Sequence, residues 1–98
     1  MIHYLAIVED EGPEFAVGVW FPDLPGCTSA GDTVEEAMLN AREVVALYLE
    51  DFPADGKPNP SPRSLAEIKA DPEHADDVVK YIVALIPFDP VPHRVAAE

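Results

Sequence analysis

The stretch Phe21-Pro-Asp-Leu-Pro-Gly-Cys27, followed after Thr28-Ser29-Ala30 by Gly31-Asp-Thr-Val-Glu-Glu-Ala37, decides how this chain folds. Pro22 and Pro25 hold φ near about −65° and lack N–H donors, so Asp23-Leu24 between them forms a forced corner. Gly26 and Gly31 are placed to supply the positive φ values that such corners demand. Asp32 or Thr33 caps a helix, with Glu35 or Glu36 three residues on to close a capping box. The segment thus reads as a strand end, a rigid turn, a short strand over residues 26–30, a second turn and a helix start. Each residue has a local conformational task, and none of those tasks is catalytic.

Downstream, Val34, Ala37, Met38, Ala41, Val44, Val45, Tyr48, Leu49 and Phe52 recur at helical spacing and form one apolar stripe. Pro53 stops this helix at about Phe52. Upstream, the β-branched and aliphatic residues 2–8 predict a strand, and Glu9-Asp-Glu-Gly-Pro13 a turn. Residues 14–21 resume as a strand, with Phe15, Val17, Val19 and Phe21 on one face and Ala16, Gly18 and Trp20 on the other. Residues 53–62 carry four prolines and predict an extended surface connection. Ser64-Leu-Ala-Glu67 is a second capping-box signature, predicting a short helix over 65–70 that Asp71-Pro72 ends.

Residues 78–88 are the most apolar segment, and their Val and Ile content together with Pro87 favours a strand over a buried helix. An unbroken run such as Tyr81 to Ile86 suits an interior strand covered from both sides. The order β-β-β-α-(short α)-β predicts an α+β fold: a four-stranded mixed sheet with the main helix on one face and the last strand parallel to the first. One helix cannot cover both faces. The second face, carrying Trp20 and half of the 81–86 run, is therefore expected to stay open as an interface with another protein or with a second copy.

Ninety-eight residues fit one domain, over 1–88, with 89–98 as an exposed tail. Nineteen acidic against six basic residues give a net charge of −13. Such a chain repels a phosphate backbone, so no direct nucleic-acid binding is expected, and a basic protein is its natural complement. Cys27 is the only cysteine, which excludes an intramolecular disulfide and points to a reducing compartment. The N-terminus lacks a signal-peptide pattern, and no apolar run approaches the roughly 18 residues of a membrane span. A cytoplasmic location is expected.

The residues that could carry chemistry fail on spacing. Glu9, Asp10 and Glu11 point in different directions from one turn, so with Asp23 they make a poor metal cluster. His3, His74 and His93 have no zinc-ligand spacing to one another or to Cys27. His3 is expected half-exposed, His74 on the surface and Cys27 packed as a small apolar residue. Ser29, Ser61 and Ser64 sit in no nucleophile elbow, and no glycine loop cradles phosphate. No catalytic residue, metal or cofactor is predicted.

The ordered motif over 21–37, with Ala41, the helix end Tyr48-Leu-Glu-Asp51, the proline loop and the late apolar strand, resembles the HicB-type antitoxins over residues 2–88. The resemblance implies a partial RNase H-like domain without its catalytic carboxylates. It also implies a partner: a small basic, RNA-cleaving toxin of the HicA type, occluded by protein–protein contact. Many members continue into a DNA-binding domain; the residues after Phe88 are too few for one, so operator binding is not carried over. Glu9, Asp10, Glu11 and Asp23 are the expected electrostatic contacts, with Trp20 as aromatic anchor. The alternative is a self-associating structural or regulatory domain without a toxin. A homo-oligomer is expected in either case.

Overall fold

The computed structural model describes residues 2–54 and 60–88, with side chains described up to Glu50 and again from Pro60. Its elements are β1 (Ile2–Glu9), β2 (Val17–Trp20), β3 (Thr28–Gly31), α1 (Val34–Ala54), α2 (Leu65–Lys69), α3 (Ala75–Lys80) and β4 (Ile82–Phe88). The four strands form one sheet in the order β3-β2-β1-β4, with α1 packed on one face. The α+β class is the expected one.

The sheet is not mixed. β4 runs antiparallel to β1, from Val8↔Ile82 to Ile2↔Phe88, and the pairs β1–β2 and β2–β3 are antiparallel too. The cause is α3, a helix the sequence reading missed. Together α2 and α3 bring the chain to the Val8 end of β1, so β4 must return along it. Val78 and Val79 look strand-like, yet Asp76 and Asp77 in the first turn and Lys80 in the last match the helix dipole.

The interior strand is β1, not β4. Paired on both sides, β1 buries Tyr4, Ala6 and Val8 against the α1 stripe, in a core with Val19, Phe21, Ala41 and Val45. Leu5 and Ile7 point the other way and meet Ile68 of α2. The second sheet face is therefore partly covered, by short helices where none was expected. β4 is an edge, and its Ile82 and Leu85 are 56% and 61% exposed.

Two boundaries shift. β2 begins only at Val17, because residues 13–15 turn and the Phe15 N–H donates to the Gly12 carbonyl (3.0 Å). Phe15 is 60% exposed and leaves the face shared by Val17, Val19 and Phe21. α1 extends to Ala54, two residues past the expected stop. The expected surface path of 55–59 and the expected tail over 89–98 lie outside the described residues.

Both predicted caps form. Thr33 Oγ1 accepts from Glu36 N (3.1 Å), and Glu36 Oε1 accepts from Asp32 N (2.6 Å). Ser64 and Glu67 complete the reciprocal box at the start of α2. The two glycines of the corner differ in role. Gly26 has φ of 84°, but Gly31 is not in the left-handed region. Gly31 provides space instead: a Cβ there would lie 2.5 Å from the backbone N of Ala37, so only glycine lets β3 approach α1 this closely.

Candidate partner-binding face

β1 ends at Glu9, whose odd-numbered parity puts it on the sheet face of Leu5 and Ile7. Trp20, paired with Ile7, shares that face. The Trp20 Nε1–H donates to Glu9 Oε2 (2.7 Å), so this acid orients the indole. On its other side the indole meets the His74 ring, centroids 5.9 Å apart and tilted by 46°. His74 is thus not a surface residue; its side chain is 17% exposed because α3 folds it against Trp20. Asp10 and Glu11 stand exposed on the following loop. The Lys80 ammonium, 5.1 Å from the centroid of the Tyr81 ring, lies within electrostatic reach of Glu11 and Glu9. The Tyr81 hydroxyl, then the charges of Glu11 and Glu9, raise the Lys80 ammonium above its ordinary value.

Asp23 lies elsewhere and has an internal task. Its carboxylate accepts from the Arg63 backbone N–H and from Nε, each at 2.7 Å, and its side chain is 6% exposed. Arg63 Nη1 continues to Asp71 Oδ2 (3.0 Å), while Asp71 Oδ1 accepts from Glu73 N (2.9 Å). Those contacts, the Glu73 amide first and then Arg63, hold the Asp71 carboxyl below its usual range. Two successive turns set the corner itself: Leu24 N donates to the Phe21 carbonyl and Cys27 N to the Leu24 carbonyl. The Tyr48 hydroxyl donates to the Pro25 carbonyl (2.9 Å), and the Tyr4 hydroxyl to the Pro60 carbonyl (2.6 Å). Strand end, helix and two loops are stitched together at this point.

The structure therefore brings Glu9 and Trp20 together, leaves Asp10 and Glu11 exposed at the rim, and locks Asp23 into the frame. Arg63 and His74 were not singled out from sequence for these roles. No local signal marks them, since Arg63 meets Asp23 across 40 positions of chain.

Chemistry fares poorly at the cleft that gathers Cys27, Glu73 and His74. A cavity of about 370 Å³ is bordered by Trp20, Pro22, Pro25, Cys27, Glu73 and His74. Burial pushes the Cys27 thiol up to about 11, so only about one molecule in ten thousand carries the thiolate at neutral pH. Asp71, Glu73 and His74 place one ligand atom each within 4.8 Å of one another. Both Asp71 oxygens are already engaged, one by a guanidinium, and three donors fall short of a closed zinc set.

The buried thiol sets an alkaline limit on stability. Its folded value lies above the ordinary 9.0, so the stabilising difference is complete below that value and disappears as pH rises through about 11. Burial, and then Asp23, shift the Tyr4 phenol in the same direction. The urea midpoint is expected to hold steady up to roughly pH 9 and to fall above it. Cys27→Ala should flatten part of that fall; an unchanged midpoint in wild type up to about pH 11 would contradict the burial.

These elements define a small α+β domain. Comparison supplies its family: residues 4–97 match the HicB-like antitoxin of bacterial toxin–antitoxin systems, and the chain belongs to that family. It is 35% identical over 79 residues to an uncharacterized 14.9 kDa protein of the rep–hol intergenic region of Haemophilus phage HP1, covering 81% of this chain and 58% of that one. The fold matches the Burkholderia pseudomallei antitoxin HicB with a TM-score of 0.74 and 27% identity, over 92% of this chain and 65% of that one. It also matches a chain of the HicA3 and HicB3 toxin–antitoxin complex, with a TM-score of 0.66 and 27% identity, over 91% of this chain and all of that one. The chain thus spans less than two thirds of the phage relative and of the Burkholderia antitoxin. Membership places it among antitoxins and not among enzymes. Among the described residues no helix is long and apolar enough to cross a membrane.

Proposed function

We propose that this chain is an antitoxin that binds a small basic toxin of the HicA type and neutralises it by occlusion. The family match across residues 4–97 carries this reading, and the likeness to a chain of the HicA3 and HicB3 complex supports it. The charge of −13 agrees with a basic partner, because complementary fields accelerate encounter and suppress wrong partners. Asp10 and Glu11 form the exposed acidic rim that attracts the toxin. Glu9 adds charge while orienting Trp20, which presents an aromatic surface beside the rim. Asp23 contributes through rigidity: its links to Arg63 hold the corner in place before the partner arrives.

Co-expression with a small basic toxin of the HicA type tests the reading. Growth should be restored and the two proteins should co-purify. Persistent toxicity with no complex, from a chain shown to be folded, would overturn it.

A further inference from the structure

We propose that the cleft beside Trp20 is a socket for one cationic side chain, an arginine presented by the partner. The inference rests on the toxin reading for the source of that side chain, and deepens it by naming the group that inserts. The cleft, about 370 Å³, is lined by Trp20, Pro22, Pro25, Glu73 and His74 among others, so an aromatic wall and a rigid turn stand beside a carboxylate. Its volume falls within the range of sites that hold small groups, roughly 300–1,000 Å³.

Charge selects a cation. Glu73 is the acid of the lining, which among the described residues holds no lysine or arginine. The Glu73 side chain is 83% exposed and lies 3.8 Å from His74 Nε2, with no lysine or arginine paired to it among the described residues. Pro22 and Pro25 bring no N–H to the wall, so they offer an anion nothing to accept from. Further acids stand behind the lining: Glu9 on the indole N–H, and Asp71 and Asp77 near His74, answered by Arg63 on Asp71. A cation is drawn into such a field and an anion is repelled.

The indole selects arginine among the cations. A guanidinium is planar, stacks on aromatic faces and is weakly hydrated, whereas an ammonium is a compact, strongly hydrated point charge. Trp is the best of the aromatic rings for this contact. Trp20 is also held ready for it, with Glu9 Oε2 fixing its N–H at 2.7 Å and the His74 ring 5.9 Å away. A side chain already ordered loses little freedom when a partner arrives. The exposed Glu73 carboxylate then accepts from the guanidinium fork.

Trp20 is the only tryptophan of the chain, so its fluorescence reports occupancy. N-acetyl-arginine amide, titrated into the purified chain at constant ionic strength, should change the emission saturably, with half-saturation in the millimolar range. The citrulline amide, of similar shape without the charge, and the norleucine amide should need about ten times more. Glu73→Gln should weaken the arginine response about five-fold, with circular dichroism unchanged. Equal responses to all three amides, or none well above the millimolar range, would overturn the proposal. With a HicA-type toxin, Glu73→Arg should raise the dissociation constant about ten-fold. Tight toxin binding that ignores Glu73→Arg would overturn the socket and leave the toxin reading standing. A saturating arginine response in a chain that binds no toxin would support the socket and remove the toxin reading instead.

Discussion

Asp23→Ala is expected to lower the unfolding free energy by about 3 kcal/mol, read from urea unfolding at neutral pH. The side chain is 6% exposed and accepts two hydrogen bonds from Arg63, one from the backbone and one from the guanidinium. Its removal leaves the Arg63 amide without an acceptor and its guanidinium, one third exposed, held by Asp71 alone, and each loss is costly. Small domains hold roughly 5–15 kcal/mol in total, so such a loss consumes much of the margin. Asp23→Asn keeps an acceptor for the Arg63 amide and should cost clearly less. A change within about 0.5 kcal/mol for Asp23→Ala would show that the corner does not depend on this link.

Reversing the rim is expected to have the largest effect on binding. Asp10→Lys with Glu11→Lys should weaken a HicA-type toxin's affinity by about 100-fold, mainly through slower association and most strongly at low salt. These two positions are chosen because they are exposed and leave the Trp20 anchor intact. Glu9→Lys alone would confound charge with position, since Glu9 also accepts from the indole. Glu9→Gln separates the two: it retains an acceptor, so a small loss there would assign the Glu9 effect to charge. Affinity that ignores both Asp10→Lys and Glu11→Lys would place the contact elsewhere on the domain.

What was legible in the sequence was local. The α1 stripe repeats every three to four residues, and both caps close over three or four, so each is written within about one turn of chain. The exposed acids at 10 and 11 were legible for the same reason: nothing in a Gly-Pro turn buries them. What failed depended on distance. Nothing near Asp23 announces an arginine 40 residues away, so its internal ion pair was not legible. The 78–88 run hid the second half of a six-residue helix because Val78 and Val79 mimic a strand start. That helix reversed β4 and made the mixed sheet antiparallel. β1 and β4 are similarly apolar, and only the sheet order decides which of them is interior. Gly31 shows a subtler gap: sequence marks the need for glycine, but not whether the need is for a backbone angle or for room.

Calorimetric titration of the purified chain into a HicA-type toxin, with the toxin's RNA cleavage followed in parallel, tests the central claim most directly. A saturable complex that weakens as salt rises, with cleavage falling as the complex fills, is the predicted result. Cleavage that continues undiminished under excess folded chain, with no heat of binding, would contradict it.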